Sequence, residues 1–173
     1  DPTAGGGILY ETGSHLIDQI FYALGVREAT VEACRQVTYK DVDFESRVLG
    51  TLRTEHDEIR LTTLISILND GFSGIVIRFE DVTLRMGLQP GEALVLETRD
   101  GRALAQLSPN EGALEVFQAF HLEWQDFINQ CTTGSPAAID AGSVTLSTAF
   151  IESCYRKAER EETSAVEESQ CRN

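Results

Sequence analysis

Lysine is almost missing from this chain. Lys40 and Lys157 are the only two in 173 residues, and from Ala103 to Tyr155 there is neither lysine nor arginine. With 28 acidic side chains against 14 basic ones, the formal charge is -14. Nucleic-acid affinity comes largely from lysine and arginine displacing counterions from phosphates, and polybasic membrane anchors need clusters of the same residues. Nucleic acid and anionic membrane are therefore excluded as expected partners. Uncharged apolar stretches fall far short of the ~20 residues that a bilayer-spanning helix needs. No basic segment followed by an apolar one opens the chain, so no secretory signal is visible.

Cysteine is sparse too. Cys34, Cys131, Cys154 and Cys171 form no CxxC and no cluster with histidine, so neither a metal site nor a disulfide framework is expected. They read as small buried hydrophobes in a reducing, cytoplasmic setting, with Cys171 in a polar tail. The chain opens on Asp1-Pro2 without a methionine, from which a missing upstream portion is expected.

What is present suffices for one globular domain, with 42% hydrophobic residues. A chain of this size buries roughly 70% of its unfolded surface. Leu9, Leu16, Ile17, Ile20, Phe21 and Leu24 recur at helical spacing between Gly5-Gly6-Gly7 and Gly25, which predicts a helix over Leu9 to Leu24. From Ala29 to Tyr39 the pattern alternates, with Val31, Ala33, Val37 and Tyr39 against Thr30, Glu32, Gln36 and Thr38. That is a strand with one wet face. Ser46 to Thr54 is a weaker strand candidate. Ile59 to Leu68 and Phe72 to Phe79 flank Asn69-Asp70-Gly71 and are expected to pair as a hairpin. A second hairpin is expected around Asp100-Gly101, between Leu94-Val95-Leu96 and Ala103-Leu104-Ala105, and Gln89-Pro90-Gly91 marks a turn.

After Ser108-Pro109-Asn110 the helical period returns. Leu114, Phe117, His121, Trp124 and Ile128 share a stripe widened by Phe120 and Phe127, which reads as core rather than as a cofactor box. A further helix is expected from about Asp140 to Arg160, with Val144, Thr148, Ile151, Tyr155 and Ala158 inward and Asp140 near its N-cap. From Glu161 to Asn173 the composition predicts a disordered acidic tail. A helix, five or six strands joined by tight turns, then two helices make an α+β domain over residues 1–160: an open, largely antiparallel sheet with helices packed on one face.

The dense constellation runs from Gly5 to Asp18, GGGILYETGSHLID. At 3.6 residues per turn, Glu11, His15 and Asp18 share a helix face. An imidazole between two carboxylates can be held in one tautomer and tuned as a general acid/base. The same spacing also describes an exposed ion-pair ladder, worth about 0.2 to 0.5 kcal/mol per pair. His121 reads as a hydrogen-bonded core histidine. His56, among Glu55, Asp57 and Glu58, reads as a solvated loop residue without a second histidine at metal spacing.

The string GGGxLxExGxHxID after Asp1-Pro2 resembles the opening of the C-terminal domain in the glucose-fructose oxidoreductase / inositol dehydrogenase / MocA family of NAD(P)-dependent oxidoreductases. The order of helix, open sheet, a glycine hairpin such as Asp70-Gly71-Phe72-Ser73-Gly74, and late helices is similar as well. The resemblance implies the substrate-binding and oligomerisation half of a two-domain enzyme acting on a sugar, cyclitol or related hydroxy compound. It implies that His15 moves a proton at the substrate hydroxyl. Glu11, where the family usually has aspartate, would hold or orient substrate, and Asp18 would orient the helix. Ser14 and Tyr10 in the same string are candidates for substrate contact or for supporting that pair.

NAD or NADP would be bound by an N-terminal Rossmann domain absent from this chain. Gly5-Gly6-Gly7 lacks the GxGxxG spacing and a preceding strand, so no cofactor is expected to bind this chain alone. The family's lysine motif likewise has no counterpart here. A homodimer or higher homo-oligomer through the open sheet face is expected, with a small polyhydroxy compound as substrate. The alternative is a free-standing, non-catalytic binding or dimerisation module that keeps the fold.

Overall fold

The spacing that predicts the first helix also decides how it packs. Helix α1 (Ile8–Leu24) buries Leu9, Gly13, Ile17, Ile20 and Phe21, one side of a 3.6-residue repeat. Gly13 lets the helix lie close on the sheet, since a Cβ there would stand 2.8 Å from Ile65 Cδ1 and 2.9 Å from Leu9 Cδ1. The helix stops at Gly25, whose left-handed φ of 62° returns its N–H toward Tyr22 and that of Val26 onto Phe21.

The protein is seen in a computed structural model that describes residues 6–68, 74–87, 93–107, 116–135, 142 and 144–163, without the side chains of Val116, Phe117 and Ala119. After α1 the chain continues through β1 (Glu28–Tyr39), β2 (Val42–Arg53), β3 (Glu58–Ser66), β4 (Gly74–Arg78), β5 (Val82–Gly87), β6 (Leu94–Thr98), β7 (Ala103–Leu107), α2 (Val116–Thr133), α3 (Thr145–Lys157) and β8 (Ala158–Glu162). It divides into two compact units, Asp1–Asn69 with Ile139–Asn173, and Asp70–Ala138.

In the first unit the strand order is β3-β2-β1-β8, antiparallel except for β8, which runs parallel to β1. Lys40 and Asp41, with φ of 49° and 64°, make the two-residue turn that a tight β1–β2 hairpin demands. The β2–β3 turn is closed by the Thr54 hydroxyl, which accepts the N–H groups of His56 and Asp57 at 3.2 and 3.0 Å. Helix α3 lies on β1, α1 lies on β2 and β3, and the two helices touch. Val31, Val48 and Leu52 from the sheet meet Leu9 and Ile17 of α1 and Phe150 and Ile151 of α3 in the core. Phe21 and Phe150 pack edge to face at 5.4 Å. The architecture is therefore α+β, an open and largely antiparallel sheet with helices on one face.

The second unit is an antiparallel meander in the order β4-β5-β6-β7. The hairpin expected at Asp100-Gly101 is present. Leu96 faces Ala105, Gly101 takes φ 85°, and the Thr98 hydroxyl receives the Arg102 N–H at 3.0 Å. Ile75 is the only buried hydrophobic residue among those described in this unit.

Several sequence expectations are corrected. The strand after Asn69-Asp70-Gly71 does not pair with the one before it, because β3 pairs with β2 and β4 pairs with β5. The turn residues themselves, like Gln89-Pro90-Gly91, Leu114 and Asp140, lie outside the described residues. In β1 the inward face is Val31, Cys34, Gln36 and Thr38, and not Val31, Ala33, Val37 and Tyr39. The cause is a bulge: Val31 faces Gly50 but Ala33 faces Leu49, so Glu32 is an extra residue that reverses the alternation.

The stripe of α2 is not core, as Phe120, Trp124, Phe127 and Ile128 are more than half exposed. His121 is exposed as well, with its Nε2 2.9 Å from Gln125 Nε2 one turn on. The inner face of α3 is Ser147, Phe150, Ile151 and Cys154, while Val144 and Thr148 are exposed. This helix is shorter than expected, and Glu161 and Glu162 belong to strand β8 rather than to a disordered tail. Residues 164–173 lie outside the described residues. Cys34 and Cys154 are buried as expected, but Cys131 is exposed.

Candidate functional site

Because α1 turns Leu9, Gly13 and Ile17 into the sheet, its opposite side is left for Glu11 and His15, both exposed and one turn apart. Neither side chain has an ion-pair or hydrogen-bond partner among the described residues. Asp18, half-buried, does not complete a carboxylate–imidazole–carboxylate ladder. Its Oδ1 accepts a 2.8 Å hydrogen bond from Ser147 Oγ, which ties α1 to α3. Ser14 donates back to the Glu11 carbonyl at 3.2 Å. The ring of Tyr10 stacks on that of Tyr155, with centroids 5.0 Å apart and planes 19° from parallel.

Beneath this turn lies a polar cluster that the sequence did not reveal. Asp43, at the start of β2, is 3% exposed. Its Oδ2 accepts the Leu9 N–H at 3.0 Å and the Ser46 hydroxyl at 2.8 Å, while its Oδ1 accepts the Tyr155 hydroxyl at 2.6 Å. Ser46 in turn accepts from Gln36 Nε2 at 3.1 Å. Burial, followed by the hydrogen bond to Asp43, pushes the Tyr155 phenol above its ordinary value, so the hydroxyl remains a donor. No periodicity in the sequence signals this cluster. Its members come from α1, the β1–β2 hairpin and α3, and only the folded topology joins them.

The arrangement offers a carboxylate and an imidazole to whatever meets the outer face of α1. It does not offer a phosphate cradle. Helix N-termini bind anions through free amides, but here the Leu9 amide is already taken by the Asp43 carboxylate. The glycine loop is equally constrained, because a Cβ at Gly7 would overlap that carboxylate and stand 2.6 Å from the Asp43 backbone nitrogen. The residues at this end of α1 therefore do not fit a dinucleotide pyrophosphate.

A cavity of about 500 Å³ opens elsewhere in the unit, between β1, β2 and β8, lined among others by Arg35, Arg47, Arg160, Glu45 and Glu159. Arg35 and Arg47 stand out of phase with the buried Cys34 and Val48, which puts the cavity on the sheet face away from the helices. None of Tyr10, Glu11, Ser14, His15 or Asp18 lines it. No group of three or more metal-ligating side chains occurs among the described residues, and no described helix is long and apolar enough to cross a membrane.

Comparison with solved structures places the fold. The chain is similar to a 3-ketoreductase from Actinomadura kijaniata, solved with TDP-benzene and NADP, with a TM-score of 0.70 and 17% identity over 94% of this chain and 50% of that one. It is also similar to biliverdin reductase from Synechocystis sp. PCC 6803, solved with biliverdin and NADP+, with a TM-score of 0.58 and 13% identity over 89% of this chain and 47% of that one. The chain thus spans about half the length of the structures it matches. No family model and no curated protein matches its sequence.

Proposed function

We propose that this chain is the substrate-binding half of a cytoplasmic NAD(P)-dependent oxidoreductase acting on a sugar, cyclitol or related hydroxy compound, and that the dinucleotide is held by a separate N-terminal domain. The observation that carries the reading is the outer face of α1, where Glu11 and His15 stand one turn apart, exposed and without a side-chain partner among the described residues, in a fold shared with NADP-bound reductases. A positioned imidazole is suited to exchanging a proton with a substrate hydroxyl as the carbon bearing it is oxidised or its ketone reduced. Glu11, within reach of the same ligand, accepts a hydrogen bond from a second hydroxyl. Asp18, the other acid of the string, serves instead to tie α1 to α3 through Ser147.

In the same reading, a second copy of the chain meets the helix-free face of the β3-β2-β1-β8 sheet, where Leu49 and Leu64 are exposed. Two-fold pairing is the commonest way to cover such a face. Light scattering at ~100 µM, well above the dissociation constants of stable dimers, should find no monomer.

The deciding experiment is steady-state kinetics on the protein with its complete natural chain, using aldoses, cyclitols and their keto derivatives with NAD(H) and NADP(H). His15→Ala should lower kcat by about 10²- to 10⁴-fold, the usual contribution of a positioned acid/base. Glu11→Gln should act mainly on KM, as loss of binding common to ground and transition states does. Calorimetry on residues 1–173 alone should show no saturable dinucleotide binding. Wild-type kcat/KM in His15→Ala would sink the catalytic reading. Absence of turnover with every substrate would favour a non-catalytic module.

A further inference from the structure

We infer that Asp43 is a positioning residue for this site, holding the first turn of α1 and with it the carboxylate of Glu11; the inference rests on the substrate-facing role proposed for Glu11 and His15. A helix begins with amides that have no partner inside it, and α1 has no cap of its own, since its N-cap is Gly7 with no side chain to offer. The acceptor is brought instead from 34 residues away, when Asp43 Oδ2 takes the Leu9 N–H. The β1–β2 hairpin delivers it there. Lys40 and Asp41 close the turn, and a register shift after Val37, where Thr38 faces Asp43 while Val37 faces Glu45, makes Phe44 an extra residue and turns Asp43 inward.

A buried carboxylate is costly unless its oxygens are satisfied. Asp43 has no ion-pair partner among the described residues. Its charge is offset by three hydrogen bonds and by the positive end of α1. Each bond reaches a different part of the unit: the backbone of α1, the strand through Ser46, and α3 through Tyr155. The Tyr155 ring then stacks on Tyr10, the residue beside Glu11. One carboxylate thus fixes the start of α1 through its backbone and, by way of Tyr155, through a side chain. Gly7 completes the fit, because any larger residue would displace the Asp43 carboxylate.

Asparagine at this position keeps one acceptor oxygen and loses the other together with the charge. Asp43→Asn should therefore loosen the first turn while leaving the hairpin in place. Hydrogen exchange on the full chain should speed up about fivefold to tenfold at the amides of Leu9 to Glu11, the scale set by loss of an N-cap, with α3 and β2 unchanged. In the kinetic assay, KM should rise about threefold to tenfold with kcat nearly kept, because Glu11 lies in the loosened turn and His15 one turn further in. Tyr155→Phe, which leaves the Leu9 bond intact, should give a smaller shift in the same direction and covers the case in which Asp43→Asn fails to fold.

Wild-type exchange at Leu9 to Glu11 in Asp43→Asn and Tyr155→Phe would overturn the inference. Faster exchange with wild-type KM, in an enzyme that His15→Ala inactivates, would overturn it as well. Should His15→Ala and Glu11→Gln both be silent, the functional reading fails, and the exchange data still report whether Asp43 holds the helix.

Discussion

Arg35 and Arg47 stand directly opposite each other on β1 and β2, two guanidinium groups in one cross-strand pair. Like charges in this position destabilise a sheet, and each arginine has a carboxylate of its own. Arg35 Nε lies 3.2 Å from Glu159, and Arg47 Nε lies 2.9 Å from Glu45. The two carboxylates are unequal: the Glu45 side chain is 11% exposed and also accepts from Ser66 at 2.9 Å, whereas that of Glu159 is 77% exposed. Glu45→Gln should therefore cost about 1 to 3 kcal/mol, the range for a hydrogen bond to a charged group. Glu159→Gln should stay under about 0.5 kcal/mol. Urea unfolding of the two variants checks the difference.

Aromatic and aliphatic side chains should separate by location rather than by size. Phe150→Ala and Ile151→Ala, each at positions 2% exposed, should cost roughly 2 to 5 kcal/mol through lost burial and the cavity left behind. Trp124→Ala, at a position 64% exposed, should cost under about 1 kcal/mol. Equal losses in a thermal melt would contradict the placement of α2.

Alkaline pH should weaken the fold through Tyr155. Its phenol is pushed up first by burial and then by Asp43, so above pH about 10, the ordinary value of a tyrosine, the unfolded chain loses this proton and the folded chain keeps it. The stability owed to the raised value is full below pH about 10 and is lost as pH climbs further. The gap in urea midpoint between wild type and Tyr155→Phe should narrow from pH 9 to pH 11 (test values spanning that ordinary range). A gap that stays constant would remove Tyr155 from the linkage.

Thiol reagents should distinguish the described cysteines. Cys131 is exposed, whereas Cys34 and Cys154 are buried; their mutual hydrogen bond pushes the Cys154 thiol up and the Cys34 thiol down, so Cys154 resists forming the thiolate and Cys34 is shielded by its burial. Native labelling followed by peptide mapping should mark Cys131 well before Cys34 or Cys154, and all three alike after unfolding.

The first helix was legible because its signals are local. Glycines bracket it, and Leu9, Ile17, Ile20 and Phe21 repeat at its own period. The Asp100-Gly101 hairpin was legible for the same reason. Alternation marks β1 as a strand but assigns the residues after Val31 to the wrong face, since one extra residue at Glu32 reverses every position after it and no composition marks a bulge. Glu11 and His15 could be placed on one helix face from spacing alone. The partner of Asp18 could not, because Ser147 lies 129 residues away. Asp43 and Tyr155 stayed hidden for that reason as well: their meeting is a property of the sheet's connectivity. A β3–β4 pair does not form, because turn residues in a sequence do not say which neighbour a strand pairs with.

Strand β8 pairs alongside β1, yet it follows every other described element in the sequence. While the protein is being made, β1 and β2 can zip together as soon as both have left the ribosome, but the outer edge of β1 has no mate until the second unit and α3 have followed. Through that interval its unpaired amides and carbonyls, from Cys34 to Thr38, are an open template for any extended segment nearby. A nascent chain stalled or cleaved before Ala158 would keep that edge, and should be far more prone to clump than the finished protein.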